Sequence, residues 1–498
     1  MTNQTKYQKT SAQLPIAQKM MTYFPKDMAN KCVLAYLVAL GAVNGVFFDY
    51  AMPWWLWLFG IASVLLFFYG SNFFTKVWYN ISEKSFAKNL FWWAFGIRIA
   101  YVLFIYFFNN EHYGTYYESN EGDITWYVPS ALEMAKQFSV GNYGDVIRMW
   151  LGWNVDISDM GYVIYLAFLY LITGEFSEVV LPLSLKAVYG ALMCVMMYRI
   201  AKRHFGEHVG RMTAIFCMLQ ANLIWWCGSM MKETEMTLLV VWFIYEMDNV
   251  LSRGSFKLQH LSKAIFIGFL LFTFRGALGL VAFGAMFVAL LLTNSKIVNV
   301  STKILVGVLL AVVLGLSYGE NIMEMVQDVR EKVEGGSYQA TNMEWRRTRD
   351  GGNDFAKYAS AVVFAPLIFT IPFPSMVYTY QSQEMQIMVN GGNFEKNILS
   401  FFVILILFHM IFSGEWRKHV FILVMLCGYL AALVLSVFAQ SGRFHVPIIP
   451  LEMMLAAYGI YTMGSSTFYR RWFNWVLALE VIVCVAWAWF KLAGRGYI

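Results

Sequence analysis

Of the 498 residues, 59% are hydrophobic and 18% aromatic, while only 14% carry formal charge (37 Lys+Arg, 31 Asp+Glu), against roughly 25% in an ordinary soluble protein. With a mean hydropathy of +0.53, this excludes a soluble globule, and 10 Pro without polar low-complexity tracts exclude collagenous and disordered classes. The net charge of +6 reads as Lys and Arg collected on the cytoplasmic side of a polytopic membrane protein, not as a nucleic-acid surface.

Residues 1–31 are polar, hold Lys6, Lys9, Lys19 and Lys26, and lack an apolar core, so they are expected to form a cytoplasmic segment, with the first membrane helix as insertion signal. Apolar stretches follow near 32–48, 54–70, 91–108, 180–200, 212–229 and 235–251, then near 263–275, 277–294, 303–318, 396–413, 419–439, 448–464 and 472–491. Each suits a hydrocarbon core of about 30 Å, which predicts about thirteen transmembrane helices in an all-α polytopic fold. Segments 160–173 and 358–380, the second broken by Pro366, Pro372 and Pro374, are read as re-entrant or interfacial helices.

Charge supplies the sidedness. With the N-terminus inside, loop 71–90 is basic and loop 109–159 carries eight acids against two bases. If 160–173 stays at the outer interface, Lys202, Arg203 and Arg211, then Arg253, Lys257 and Lys263, then Arg417 and Lys418, then Arg470 and Arg471 all fall inside, as the positive-inside rule requires. The chain then divides into the N-terminal segment, two helices within 32–90, a membrane core 91–318 with the outer loop 109–179, an outer segment 319–395, and C-terminal membrane helices in 396–498. Within the outer segment, 320–334 alternates charge with apolar residues at helical spacing and predicts an amphipathic surface helix. The six Cys fall singly in or beside apolar runs, away from metal-ligand spacing, and are expected to be buried and apolar in role.

Outer segments this long point to function. Residues 111–127 interleave Glu118, Glu121 and Asp123 with aromatics including Tyr127. Carboxylates at such an interface can bind a divalent cation or take a proton from an acceptor hydroxyl, and aromatic faces suit sugar rings; both roles stay open here. Lys186, Lys232 and Arg443 lie at the outer helix ends, where a lipid phosphate would bring negative charge. His445, two residues after Arg443, is a candidate phosphate ligand or proton carrier. Arg346, Arg347 and Arg349, beside Trp345, form a basic-aromatic loop suited to a charged donor or acceptor. Arg98, inside an apolar run, is expected to be neutralised by Glu480 or Glu452 as a packing pair, and Arg275 to mark a turn between spans.

Asp123-Ile-Thr-Trp-Tyr127-Val-Pro-Ser-Ala131 resembles the Asp-x-x-x-Tyr-x-x-x-Ala element of GT-C fold glycosyltransferases. The later runs Leu183-Ser-Leu-Lys-Ala-Val-Tyr-Gly-Ala-Leu and Tyr198-Arg-Ile-Ala-Lys-Arg-His-Phe-Gly206 follow in an order similar to the protein O-mannosyltransferase and aminoarabinose transferase branch. Ser441-Gly-Arg-Phe-His-Val-Pro-Ile-Ile-Pro450 resembles the Gly-Arg-Tyr element that opens a late helix in that branch. The likeness covers roughly 91–250 and 419–465. It implies a polyprenyl-phosphate-linked sugar as donor and a lipid, glycan or protein acceptor. It further implies inverting hexosyl or pentosyl transfer, Asp123 as base with Glu121 beside it, and basic groups on the donor phosphate. The location implied is a bacterial inner membrane, the site facing the periplasm or exterior; no cofactor is fixed, and metal dependence stays open, since a divalent cation has room at Glu118, Glu121 and Asp123 while related architectures work without one. The sequence departs from the pattern in its two extra N-terminal helices and in lacking an adjacent acidic pair. Two other readings use the same features: a glycan polymerase or ligase acting on a diphosphate-linked oligosaccharide through Arg346–Arg349, Arg443 and His445, and a transporter of lipid-linked glycan.

Overall fold

The computed structural model of the chain describes residues 20–116, 123–146, 157–173, 179–252, 257–292, 307, 366–379, 384–435, 441–494 and 496–498. Among these residues the regular structure is helical, apart from an isolated bridge between Ala51 and Val377. The first helices are α1 (Lys26–Val46), α2 (Trp54–Val77), α3 (Glu83–Tyr113), α4 (Ile124–Ser139), α5 (Ile157–Thr173) and α6 (Val180–Phe205). The middle of the chain forms α7 (Glu207–Leu219), α8 (Ala221–Trp225), α9 (Glu233–Ser252), α10 (Leu258–Phe274) and α11 (Gly276–Leu292). Then come α12 (Glu384–Met388), α13 (Asn390–Ser413), α14 (Val420–Leu435), α15 (Gly442–His445), α16 (Ile449–Met463) and α17 (Thr467–Gly494).

Among the described residues, seven helices are long and apolar enough to cross a membrane: α1, α2, α3, α6, α13, the α15–α16 run and α17. The shorter apolar helices α5, α10, α11 and α14 add to them, and the set is compatible with a multi-pass integral membrane protein. The span expected at 212–229 takes another form. α7 stops at Leu219, Gln220 is extended, and the chain resumes in the five-residue α8. The helices expected in 358–380 are also absent where the chain is described: 366–370 form a turn and 371–379 run without helix, as Pro372 and Pro374 bias their neighbours toward extended backbone. The amphipathic helix expected at 320–334 lies outside the described residues. Five of the six Cys are buried as expected, whereas Cys427 is exposed.

α3 shows how sequence spacing becomes packing. Its buried residues are Phe86, Leu90, Ala94, Arg98, Val102, Ile105 and Asn109, a stripe with i, i+3 and i+4 spacing that lies along α6. Ser82 caps its start by accepting from the Ser85 N–H at 3.3 Å, and Gly114, in the left-handed region (φ 72°), closes its end. Arg98 belongs to that stripe without meeting Glu480 or Glu452. Its guanidinium donates to the carbonyls of Ala94 (3.2 Å), Met218 (3.2 Å) and Cys217 (3.0 Å). The last two are carbonyls that α7 leaves unpaired by ending at Gln220, so a buried cation and a buried helix end satisfy each other. A Cβ at Gly190 on α6 would stand 2.3 Å from Arg98 Nε, so glycine is what admits the side chain. Glu452 instead pairs with Lys396 at 3.3 Å, and Glu480 accepts from Asn397 at 3.1 Å.

Ionic groups collect at two ends of the bundle. At one, Lys202 meets Glu83 and Glu207, Arg203 and His204 meet Asp248, His204 meets His419 at 3.0 Å, and His260 meets Glu246 at 2.6 Å. Arg470 lies 3.9 Å from Asp27. Among the described residues, the segments around Glu83, Lys202, His260 and His419 therefore share one end. The other end holds Asp123, Lys232 and Arg443.

Candidate functional site

Helix α4 is amphipathic, burying Ile124, Tyr127, Val128, Ala131, Met134 and Ala135 against α5, which in turn packs on α10. Asp123 occupies the position before its first turn but makes no capping bond to it, and its carboxylate turns elsewhere. Arg443 Nη2 donates to Asp123 Oδ2 at 2.7 Å. The same guanidinium donates through Nε to Glu233 Oε1, so Arg443 bridges the start of α4 to the start of α9. Asp123 keeps 46% of its side-chain surface exposed, whereas Arg443 keeps 16% and Glu233 none.

Behind this pair the charges are shared. Arg275, between α10 and α11 as expected, lies 3.4 Å from Glu233 Oε1, donates to the Tyr429 hydroxyl at 3.2 Å, and sits 4.2 Å from the centre of the Phe444 ring. Tyr429 passes the contact on by donating to the Phe444 carbonyl at 3.0 Å. Lys232, in the turn before α9, donates to Asp159 Oδ1 and to the Phe274 carbonyl (2.6 Å). The Tyr127 hydroxyl stands 3.3 Å from both Asp123 Oδ2 and Asp159 Oδ1, with Lys232 Nζ 5.7 Å from its ring centre. Three carboxylates (Asp123, Asp159, Glu233) thus face three cations (Lys232, Arg275, Arg443) in one connected set.

The fields around these groups run in opposite directions. Burial alone would raise the Asp123 carboxyl, but the charge and hydrogen bond of Arg443, then Lys232 and Tyr127, outweigh it and hold the group below the ordinary carboxylate value. It is therefore ionised near neutral pH. Burial and the nearby Arg275 charge push the Lys232 ammonium well below its ordinary value, more than Glu233 and Asp123 restore. Burial also pushes the Tyr127 phenol up, so it stays protonated and can donate.

Of the residues singled out in the sequence, Asp123, Tyr127, Lys232 and Arg443 come together. Lys186 does not join them: it is wholly buried, paired with Glu235 at 3.0 Å and bonded to the Met231 carbonyl. A charge so enclosed has no surface to offer a donor phosphate in this conformation. His445 is likewise fully buried at the end of α15. Glu118, Glu121, Arg346, Arg347 and Arg349 lie outside the described residues. Sequence reasoning missed Asp159, Glu233 and Arg275 as members of the site. Their signal was weak but present, since Lys232-Glu-Thr-Glu235 and Arg275 interrupt apolar runs where ionisable groups are costly. Lys232 pairs with Asp159, while Glu233 beside it is engaged by Arg443 and Arg275 and Glu235 by Lys186.

Among the described residues no group of three or more His, Cys, Asp or Glu side chains is arranged to hold a metal ion. No protein-family model and no curated protein matches the chain.

Proposed function

We propose that the protein is a membrane glycosyltransferase of GT-C type that moves a sugar from a polyprenyl-phosphate donor to a hydroxyl of a lipid, glycan or protein acceptor. The observation that carries this reading is the Asp123–Arg443 contact: a half-exposed, ionised carboxylate beside a guanidinium anchored from behind by buried Glu233. Arg443 is shared between two acids. The phosphodiester of an arriving donor competes for its Nη2, with Lys232 as a second cation, and releases Asp123 for the acceptor. The acceptor oxygen then attacks the anomeric carbon and its proton passes to the Asp123 carboxylate. The bond from that carbon to the phosphate oxygen breaks, and polyprenyl phosphate leaves with the electron pair. A single displacement inverts the anomeric centre. The working location under this reading is a bacterial inner membrane, with the Arg443 end facing the periplasm or exterior.

The test is mass spectrometry of lipids and glycans from cells with and without the protein, repeated with Asp123→Asn and Arg443→Ala. Sugar transfer is expected to vanish in the first variant with donor binding retained, and donor binding to weaken in the second. Full transfer by Asp123→Asn would remove the reading. A second reading, transport of a lipid-linked glycan, draws support from the break at Gln220, because discontinuous helices line many transporter sites. It predicts glycan moved across the bilayer with no covalent change.

A further inference from the structure

At the end of α6 remote from Arg443, a cleft of about 590 Å³ opens against the first turn of α3. The cleft is open to solvent and far roomier than one counter-ion needs. Lys84, Arg199, Lys202 and Arg203 line it against a lone acid, Glu83. Two of these cations are already committed, Lys202 to Glu83 and Glu207 and Arg203 to Asp248. Arg199 and Lys84 are exposed, and among the described residues neither forms an ion pair with a carboxylate. The cleft thus presents uncompensated positive charge on a frame fixed by its neighbours.

Its position adds a second constraint. Trp92 and Trp93, two turns further along α3, are more than half exposed, as expected of aromatics at a membrane-water boundary. From the cleft toward the bundle interior the same faces turn apolar. Ala87, Phe91 and Phe95 follow on α3, the two Phe rings parallel at 6.4 Å, and Val195 and Leu192 precede Arg199 on α6 at helical spacing. A basic headgroup-sized cleft that continues into a half-exposed apolar strip matches an amphiphile with an anionic head. We propose that this cleft binds an anionic glycerophospholipid, its phosphate between Arg199 and Lys84 and one acyl chain along the α3–α6 seam. The site is independent of the Arg443 cluster and of the reading given to it.

Native mass spectrometry of the full chain in detergent, with phosphatidylglycerol or phosphatidylcholine added, tests this. The wild type is expected to retain phosphatidylglycerol in preference to phosphatidylcholine. The Lys84→Ala/Arg199→Ala double variant, which alters only exposed side chains, should lose that retention by roughly tenfold while its thermal unfolding stays unchanged. Ala87→Trp, which fills the cleft without touching charge, should lose the lipid as well. Equal retention of the two lipids, undiminished binding by the double variant, or displacement of the lipid by inorganic phosphate alone would each overturn the proposal.

Discussion

The two ends of the bundle use the same chemistry for different ends. At the His204 end, the pairs of Lys202 with Glu83 and Glu207 join partners that are 28–61% exposed and tie helix ends together. Such pairs are screened and contribute little individually. At the Arg443 end the partners Glu233 and Arg275 are buried, and Asp123 alone among the three carboxylates is close to half exposed. Buried charges add little net stability, because desolvation offsets their attraction. A cluster so costly to assemble suits the ligand-binding role proposed for it, whereas the ion pairs at the opposite end, beside the lipid cleft proposed there, hold helix ends together.

The contrast can be broken most directly at Asp123. Replacing it with Asn keeps size and a hydrogen-bond acceptor for Arg443 but removes the proton acceptor, and transfer should fall by up to about 10⁴-fold. Steady-state assay with a polyprenyl-phosphate sugar measures this; a loss confined to donor affinity would make Asp123 a positioning group. Next in size is Glu233→Gln. It strips the charge from the acid shared by Arg275 and Arg443, and leaving buried cations uncompensated costs about 3–5 kcal/mol. Lys202→Ala at the other end should cost under about 1 kcal/mol. Thermal unfolding of both variants in one detergent decides the matter, and equal losses would erase the distinction between the ends.

Much of this arrangement is written in residue order. The stripe on α3 from Phe86 to Asn109 is visible as spacing, the basic loops predict which helix ends meet, and Asp123 and Arg443 stand out as charges at the edges of apolar segments. The break at Gln220 was hidden because hydropathy stays high through most of 212–229, where Gln220 and Asn222 are the only amide side chains. The Gln220 side chain accepts locally from the Leu223 N–H at 2.9 Å and donates to the Gly392 carbonyl at 3.0 Å, and the second contact exists only once α13 is in place. Partner choice was hidden for the same reason. Lys232 has Glu233 beside it in sequence, yet α9 directs that carboxylate toward Arg275 and Arg443, and Asp159 arrives from α5.

Lys232 gives a more modest way to sharpen the comparison. Its ammonium is depressed by burial and by Arg275, so an anionic phosphate placed beside it should raise that value again. Donor binding then takes up protons, and affinity declines as pH rises toward the alkaline range. Calorimetry in buffers of different ionisation enthalpy reads the uptake, which Lys232→Met should abolish. Binding without proton exchange at any pH would place the phosphate away from Lys232.

The smallest expected effect belongs to the other end. His419, between α13 and α14, faces His204, Phe205, Glu415 and Lys418, and through His204 it touches Asp248. Burial and the adjacent His204 push its imidazole down to about 4 from an ordinary 6.5. The folded state therefore binds this proton less readily than the unfolded chain does. Stability from the neutral ring is fully present above about pH 6.5 and is lost as pH falls from there toward about 4. Solvent screening at a helix end limits the loss to roughly 1 kcal/mol. His419→Gln keeps a hydrogen-bonding side chain without the titration, so its unfolding temperature should flatten across that interval. An unchanged slope would assign the acid sensitivity to another group. A flattened slope with sugar transfer intact would show the two ends to be separable, one sensitive to protons through packing and the other through its ligand.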